Sequence, residues 1–239
     1  MPRNTSIANL KLGMCESYAA YLTRSGGADC SHSLIGAAQM KILVVGASGT
    51  LGQAVASTLG VHHELIRAGR HSGDVQVDLT DDASVQALFA QTGPLDAVVA
   101  TTGRLHFGPL ADMTPAQFNL GLQDKLLGQV RLALAAQHHL RSGGSITLTS
   151  GIVSAQPIRD GVNATAVNAA LEGFVRAAAF DLLPRGLRIN VVSPNVLVES
   201  MDDYGAYFPG FEPVSAQRAA LAYQRSVEGV QSGQVITVW

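Results

Sequence analysis

The stretch that decides the fold is KILVVGASGTLG, at residues 41–52. Residues 41–45 form a short run rich in β-branched side chains that ends at a glycine, and apolar residues at helical spacing follow over residues 51–59. This order predicts a strand, a glycine-rich turn and a helix. Glycines at such a turn let the backbone approach a ligand, and the N–H groups and dipole of the helix attract a pyrophosphate.

The turn therefore predicts that the chain binds a dinucleotide. The alternative is a tight strand-to-helix turn without a ligand, but its place directly after the first predicted strand favours the dinucleotide. The residues that this prediction assigns to the cofactor are Gly46, Ser48, Gly49, Thr50, Leu51 and Gly52.

Strand and helix patterns alternate along the rest of the chain. The patterns predict further strands over residues 64–68, 75–77, 96–100, 145–149, 188–192 and 234–238, and helices over residues 83–89, 115 to about 139, 164–183 and 216–226. Parallel strands need long crossover connections, which are mainly helical here. We expect a single α/β domain with a doubly wound, Rossmann-type parallel sheet of about seven strands and helices on both faces.

The composition excludes several other classes of protein. Of the 239 residues, 47% are hydrophobic and 14% are charged, which is too apolar for a disordered chain. The formal net charge of −2 argues against nucleic acid or an anionic membrane as a partner. The apolar runs are far shorter than the roughly 18 residues that span a bilayer. We therefore expect a soluble globular protein.

The first 39 residues are a different kind of sequence. They contain both cysteines, Cys15 and Cys30, a Gly26-Gly27 break and no sustained periodicity, so we expect a poorly ordered appendage before the domain of residues 40–239. They also lack the pattern of a secretory signal. With no cysteine after Met40, a reducing, cytoplasmic location is the simplest prediction. Met40 itself is an alternative translation start, and the sequence leaves both starts open.

The end of the second predicted strand indicates which nicotinamide cofactor binds. An acidic residue at this position holds the ribose 2′-hydroxyl of NAD, whereas an arginine accommodates the 2′-phosphate of NADP. Here the tip carries no carboxylate, and Arg70, helped by His71 or Ser72, is placed to pair with a phosphate. The prediction is NADP(H), with NAD less favoured; an exposed arginine on a loop is the alternative.

Residues 40–239 resemble the short-chain dehydrogenase/reductase family. Besides the glycine turn, the resemblance rests on Val77-Asp78-Leu79, Ala100-Thr101-Thr102-Gly103, Thr149-Ser150, Val192-Ser193-Pro194-Asn195 and Gly233-Gln234-Val235. It implies that Ser150 binds the substrate oxygen. It also implies that further residues contact the cofactor, namely Asp78 and Leu79 near the adenine together with Thr101, Thr102, Gly103 and Pro194.

The chain departs from the family at its catalytic pair. The resemblance places Ala164 at the family's tyrosine, which exchanges a proton with the substrate oxygen, and Asn168 at its lysine. Lys125 stands where the family has the asparagine of an N-x-x-G element, and Glu199 replaces a threonine. This pattern resembles a divergent subgroup that keeps the fold but lacks the usual Tyr-x-x-x-Lys site.

Lys125 is the candidate replacement for the missing acid. The chain has three lysines, and this one stands at a position that in the family lies beside the catalytic lysine, so Lys125 and Asn168 have exchanged places in this hypothesis. The alternative is a surface lysine on an amphipathic helix. Ser150 and Lys125 are thus the predicted catalytic residues.

Three further side chains are candidates for the substrate side. Tyr204 and Tyr207 lie in the expected substrate loop, and His106 follows the Ala-Thr-Thr-Gly turn; loop packing is the alternative for each. The pairs His62-His63 and His138-His139 lack partners at metal-ligand spacing, so we predict no metal site.

Two functions follow from these patterns. The first is an NADP(H)-dependent oxidoreductase that acts on a small carbonyl or alcohol substrate with a rearranged site. The second is a non-catalytic NADP(H)-binding sensor or regulatory protein of the same fold. The resemblance further implies a homodimer or homotetramer, because the apolar faces of residues 118–140 and 164–183 match helices that pair subunits in the family.

Overall fold

A parallel sheet forms the centre of the part of the chain that the computed structural model describes, residues 39–239. The strand order is β3-β2-β1-β4-β5-β6-β7, and every neighbouring pair is parallel. This confirms the predicted fold class. The strands are β1 Lys41–Val45, β2 Glu64–Gly69, β3 Val75–Gln76, β4 Leu95–Ala100, β5 Leu140–Thr149, β6 Arg188–Pro194 and β7 Val235–Val238.

Helices connect the strands and cover both faces of the sheet. They are α1 Thr50–Leu59, α2 Asp82–Thr92, α3 Pro115–Gly121, α4 Gly128–Ala136, α5 Val162–Leu182, α6 Met201–Tyr204 and α7 Ala216–Glu228. The single helix that the sequence predicts from residue 115 to about 139 is wrong in detail: it ends at Ala136, and a π-helical segment, Leu122–Leu127, separates α3 from α4.

The burial of β1 explains why its sequence is continuously apolar. Ile42 and Val44 pack into one hydrophobic cluster with α1 and α7, whereas Leu43 and Val45 pack into a second cluster with α2, α4 and α5. All four side chains are almost completely buried. A strand covered on both faces needs apolar residues at every position, and an alternating pattern would leave polar groups in one core.

The chain reverses direction across the sheet at β1, which lies between β2 and β4. Loops that leave the carboxyl ends of β1 and β4 therefore run to opposite sides, and a crevice opens between them, where doubly wound sheets bind ligands. Gly46 directly follows β1 and Thr101 directly follows β4, and the N–H of Thr101 donates to the carbonyl of Val45 at 2.9 Å. The glycine turn is thus at the switch point.

The sequence predicts an appendage over residues 1–39 and a domain over residues 40–239. Residues 39–239 form one compact unit. The predicted appendage, including Cys15 and Cys30, lies outside the described residues. Within the described part, no helix has the length and apolarity needed to cross a bilayer.

Candidate functional site

The glycine turn forms one wall of a groove at the carboxyl edge of the sheet. Gly46 has a φ of +87°, and a Cβ there would lie 2.5 Å from Cγ2 of Thr102. A Cβ at Gly52 would collide with the backbone carbonyl of Gly46, so α1 packs closely on the turn only with glycine at this position. Gly49 is different, because its nearest neighbour is the Gly46 carbonyl at 3.6 Å.

The amino end of α1 is suited to a phosphate. Gly49 is its N-cap and provides no side-chain hydrogen bond, and the first turn contains no acidic residue. The first N–H groups of a helix have no partner within the helix, and the helix dipole favours an anion beside them. The hydroxyl of Thr102, across the groove, is buried and has no hydrogen-bond partner among the described residues. The residues present therefore fit the pyrophosphate of a dinucleotide.

The groove encloses about 240 Å³. Among the residues that the sequence assigns to the cofactor, Thr50, Leu51 and Gly52 lie in the first turn of α1 and do not line it. The assigned residues that line the groove are Gly46, Ser48, Gly49, Arg70, Leu79, Thr101, Thr102 and Gly103.

A chain of alternating charges closes the end of the groove near β2. Arg70 lies 3.1 Å from a carboxylate oxygen of Asp78 and 3.4 Å from one of Asp124. Asp124 also accepts hydrogen bonds from the backbone N–H and the Nε of Arg104, at 2.7 and 2.9 Å. Hydrogen bonds from the N–H and hydroxyl of Thr80, together with Arg70, lower the pKa of Asp78 against the effect of burial.

Sequence reasoning finds Arg70 and Asp78 but misses Asp124 and Arg104. Asp124 lies in the π-helical segment, 54 positions along the chain from Arg70, and the fold brings it to the groove. No local motif marks such a contact. The two helpers predicted for Arg70, His71 and Ser72, are exposed on the following loop, and neither lines the groove.

Gln129 is a second residue that the sequence does not reveal. Its buried carboxamide accepts a hydrogen bond from the N–H of Thr149 at 2.8 Å and donates to the carbonyls of Thr149 and Thr102, at 3.0 and 3.3 Å. Gln129 therefore ties the loop after β4 to the end of β5, and holds the groove wall beside Ser150.

A cavity of about 180 Å³ lies beyond the groove, at the carboxyl ends of β5 and β6. Its lining brings both predicted catalytic residues together with Asn168, the residue at the family's lysine position. Apolar and aromatic side chains provide most of the remaining wall. The lining includes Lys125, Ser150, Asn168, Phe107, Tyr204 and Phe208.

Lys125 lies on the wall between the groove and the cavity. A Cβ on Gly103, which lines the groove, would collide with the Lys125 side chain, so the positive φ of +126° and the contact both require glycine there. Only 7% of Lys125 is exposed, and its Nζ donates to the carbonyl of Ser150 at 3.2 Å. Burial lowers the pKa of Lys125 to about 8.

The Ser150 hydroxyl is engaged in a hydrogen bond with a buried carboxylate. It donates to the Glu172 carboxylate at 3.0 Å, and the Ser154 hydroxyl donates to the same oxygen at 2.5 Å. Arg176 lies 3.4 Å from the second oxygen of Glu172. Sequence reasoning misses Glu172, although its spacing of one helical turn from Asn168 places both on one face of α5.

The residues at the family's catalytic positions have different surroundings. Ala164 is fully buried and packs with Ile152 and Val153. Asn168 is 1% exposed, and its Oδ1 has no hydrogen-bond partner among the described residues. An unpaired buried amide oxygen is costly, and a ligand in the cavity would relieve that cost.

The structure places only one of the three substrate candidates at the cavity. Tyr204 lines the cavity, whereas Tyr207 and His106 do not. The Tyr207 ring packs on Phe107 with centroids 5.0 Å apart, and the His106 N–H donates to Asn163 at 3.0 Å. The contacts of Tyr207 and His106 are those of loop packing, the alternative considered for each.

One histidine of each pair contacts a side chain of another element. His63 lies 3.2 Å from a carboxylate oxygen of Glu228 and accepts a hydrogen bond from the Met40 N–H at 3.4 Å. His139 stacks on Phe89 with centroids 4.8 Å apart. Over residues 39–239, no group of three or more His, Cys, Asp or Glu side chains is arranged to hold a metal ion.

Comparisons with known proteins agree with the fold and the groove. A family model described as enoyl-(acyl carrier protein) reductase matches residues 46–236. Versicolorin reductase 1 of Aspergillus parasiticus is 30% identical over 186 residues, covering 66% of this chain and 70% of that protein. Hydroxynaphthalene reductase arp2 of Aspergillus fumigatus is 29% identical over 160 residues, covering 64% of this chain and 59% of that protein.

Solved structures also share the fold of this chain. The protein lin1944 from Listeria innocua superposes with a TM-score of 0.82 at 46% identity, covering 84% of this chain and all of that one. A small-chain dehydrogenase in complex with NADPH superposes with a TM-score of 0.75 at 27% identity, covering 84% of this chain and 96% of that one. The chain belongs to the short-chain dehydrogenase/reductase family of oxidoreductases.

Proposed function

We propose that the protein is an NADP(H)-dependent oxidoreductase that acts on a small carbonyl or alcohol substrate with a non-standard active site. The observation that carries this proposal is Lys125, a buried amine on the wall between the cofactor groove and an apolar cavity. The chain would then belong to a divergent subgroup of its family, in which Lys125 acts where a tyrosine normally does. The names of the fungal relatives describe reductases, which supports reduction as the direction.

The groove residues hold the cofactor in this proposal. The amino end of α1 and the hydroxyl of Thr102 bind the pyrophosphate region, and Arg70 pairs with the 2′-phosphate. When bound, NADPH supplies the hydride that reduces a carbonyl carbon. The protein itself must then orient the carbonyl, exclude water and provide one proton to its oxygen.

Lys125 is the proton source. With a pKa of about 8, the amine is mostly protonated at pH 7, yet it loses its proton far more readily than an ordinary lysine does. Ser150 positions the substrate, but its proton is engaged by Glu172. The hydroxyl therefore accepts a hydrogen bond from a substrate alcohol as it stands, and must turn from Glu172 to stabilise an oxyanion.

The second candidate is the non-catalytic NADP(H)-binding protein. The bond from Ser150 to Glu172 favours it, because this bond withdraws the hydroxyl that the family uses for substrate binding. Ala164 also has no titratable group. In this alternative, cofactor binding orders the loops over the cavity and changes the affinity for a protein partner.

The first prediction separates these two functions by NADPH oxidation. We expect turnover with members of a panel of aldehydes, ketones and quinones, and a loss of about 10²–10⁴ in rate for Lys125→Met because it removes the general acid. Ser150→Ala should raise KM and lower kcat. Lys41→Met is the matched control, since its Nζ donates to the Thr92 carbonyl, remote from the cavity. Full activity of Lys125→Met would refute its role, and no turnover of the wild type would favour the non-catalytic protein.

The second prediction concerns cofactor preference. Arg70→Ala should weaken NADPH by about one to two decades, the value of a charge-assisted hydrogen bond, and leave NADH binding unchanged. Asp124→Asn should strengthen NADPH binding, because it frees Arg70 from one competing carboxylate. Calorimetric titration of both cofactors measures these changes. Equal affinities of the wild type for NADPH and NADH would contradict the assignment.

We also propose the assembly and location that the resemblance implies. A pocket between α4 and α5 is lined by Leu134 and Phe174, and Phe180 and Leu183 are strongly exposed near it. These apolar side chains support a homodimer or homotetramer formed through these helices. The location that we propose is the cytoplasm, on the cysteine distribution described above.

A further inference from the structure

We propose that Lys125 is a covalent attachment site, at which the amine forms a Schiff base with small apolar aldehydes and ketones that enter the cavity. The proposal goes beyond the function above, because it requires neither a nicotinamide cofactor nor a hydride transfer. In the step, the lysine nitrogen bonds to the carbonyl carbon, the carbonyl oxygen takes both amine protons, and one water molecule leaves. Nothing is oxidised or reduced.

The first support is the absence of a compensating charge. Among the residues that the structure describes, no carboxylate lies within ion-pair distance of Lys125, and its one hydrogen bond is to the Ser150 carbonyl. A buried ammonium without a carboxylate is costly, so this amine loses its proton more readily than an ordinary lysine does. A desolvated lysine in an apolar pocket is the form of this residue that attacks carbonyl groups.

The second support is that other charges near the cavity are already paired. Glu172, from α5, is held by the Ser150 and Ser154 hydroxyls and by Arg176. Asp124, the neighbour of Lys125 in the π-helical segment, is held by Arg70 and Arg104 on the groove side. The phenol of Tyr204, at the end of α6, is the remaining titratable group among the described residues that line the cavity.

The third support is the cavity itself. Phe107, Phe208 and Tyr204 provide an apolar wall facing the same space as Lys125, which suits an aryl or alkyl group. The unpartnered Oδ1 of Asn168 in this lining accepts a hydrogen bond from the carbinolamine hydroxyl that precedes loss of water. Ser150 also lines the cavity, and its hydroxyl, hydrogen-bonded to Glu172, is available to exchange a proton with that intermediate.

The experiment is reductive trapping on the full chain, without any nicotinamide cofactor. Benzaldehyde is the probe, sodium cyanoborohydride converts an imine to a stable benzylamine, and peptide mapping locates the label. At pH 7 an amine of pKa about 8 is roughly one-tenth unprotonated, more than a hundredfold above an ordinary lysine. We therefore expect Lys125 to be labelled at least about tenfold faster than Lys41, with a rate that levels off above pH 8.

The controls use the same chain. In denaturant, Lys11, Lys41 and Lys125 should be labelled at equal rates, because the selectivity depends on the folded cavity. Lys125→Arg keeps a positive charge but forms no imine, and it should retain only the labels at Lys11, Lys41 and the amino terminus. Slower labelling of Lys125 than of Lys41 in the folded protein would overturn the proposal, as would a rate at Lys125 that keeps rising past pH 9. Because the trapping experiment does not measure NADPH oxidation, imine formation at Lys125 can be detected even if the protein does not reduce carbonyl compounds.

Discussion

At the scale of single residues, Lys125 combines a cost in stability with the chemistry proposed for it. The unfolded chain holds this amine at the ordinary pKa of 10.5, whereas burial lowers it to about 8 in the folded protein. Between these values the unfolded state binds more protons, so stability rises with pH there. Below pH 8 the full cost applies, about 3 kcal/mol for a fully buried group.

The third prediction follows from this cost. Lys125→Met should stabilise the protein at pH 7 by up to about 3 kcal/mol, since methionine fills similar space without a charge. The gain should shrink as the pH rises from 8 toward 10.5, where the amine is neutral in both states. Urea denaturation at several pH values measures it, with Lys41→Met as the control. A destabilised Lys125→Met would show that the bond to the Ser150 carbonyl outweighs the buried charge.

At the scale of elements, the π-helical segment and the glycine turn create the site. A π turn adds a residue to each turn of the helix and rotates the following side chains, and such segments occur often at functional sites. Here Leu122–Leu127 directs Asp124 to the groove and Lys125 to the cavity.

The fourth prediction distinguishes two glycines of the turn. Gly52→Ala should destabilise the protein by several kcal/mol, because its Cβ meets the Gly46 carbonyl. Gly49→Ala has room and should cost much less stability, only what alanine loses to glycine at an N-cap, and it should weaken NADPH binding because Gly49 lines the groove. Gly173→Ala, on the exposed face of α5 with nothing within 4 Å, is the control and should stabilise the helix by about 0.5–1 kcal/mol. Equal effects at Gly49 and Gly52 would contradict this distinction.

At the scale of the whole molecule, the seven strands found in residues 39–239 lie between Lys41 and Val238. The two hydrophobic clusters that cover the faces of the sheet are also built from residues in this range. Among the described residues, Met40 is the first that packs on either cluster, and its N–H also contacts His63. The described residues therefore contain a complete sheet with both faces covered.

The fifth prediction is that a chain beginning at Met40 folds and binds NADPH like the full chain. Its thermal melt should stay cooperative with an unchanged Tm, since the described sheet and both described clusters begin at or after Met40. A chain beginning at Leu43 is the matched control: it loses Ile42, which is fully buried and pairs with both Leu65 and Ala97, and should not fold. A lower Tm for the chain from Met40 would mean that residues 1–39 stabilise the domain.

The sequence by itself determined the sheet and the glycine turn, because these depend on local patterns. The continuous apolar run of β1 marks a strand covered on both faces, and helical spacing marks α1, α5 and α7, with bounds that differ from the prediction by a few residues. Arg70 could be placed at the tip of β2 for the same reason, since it directly follows the strand.

Only the tertiary structure decided which side chains contact one another at the site. Asp124 reaches Arg70, and Glu172 reaches Ser150, over 54 and 22 positions along the chain. Neither contact leaves a local pattern, because a hydrogen bond between distant segments depends on how the helices pack on the sheet. The position of Lys125 likewise depends on a π turn, which shifts the helical spacing by one residue at a point that no local motif marks.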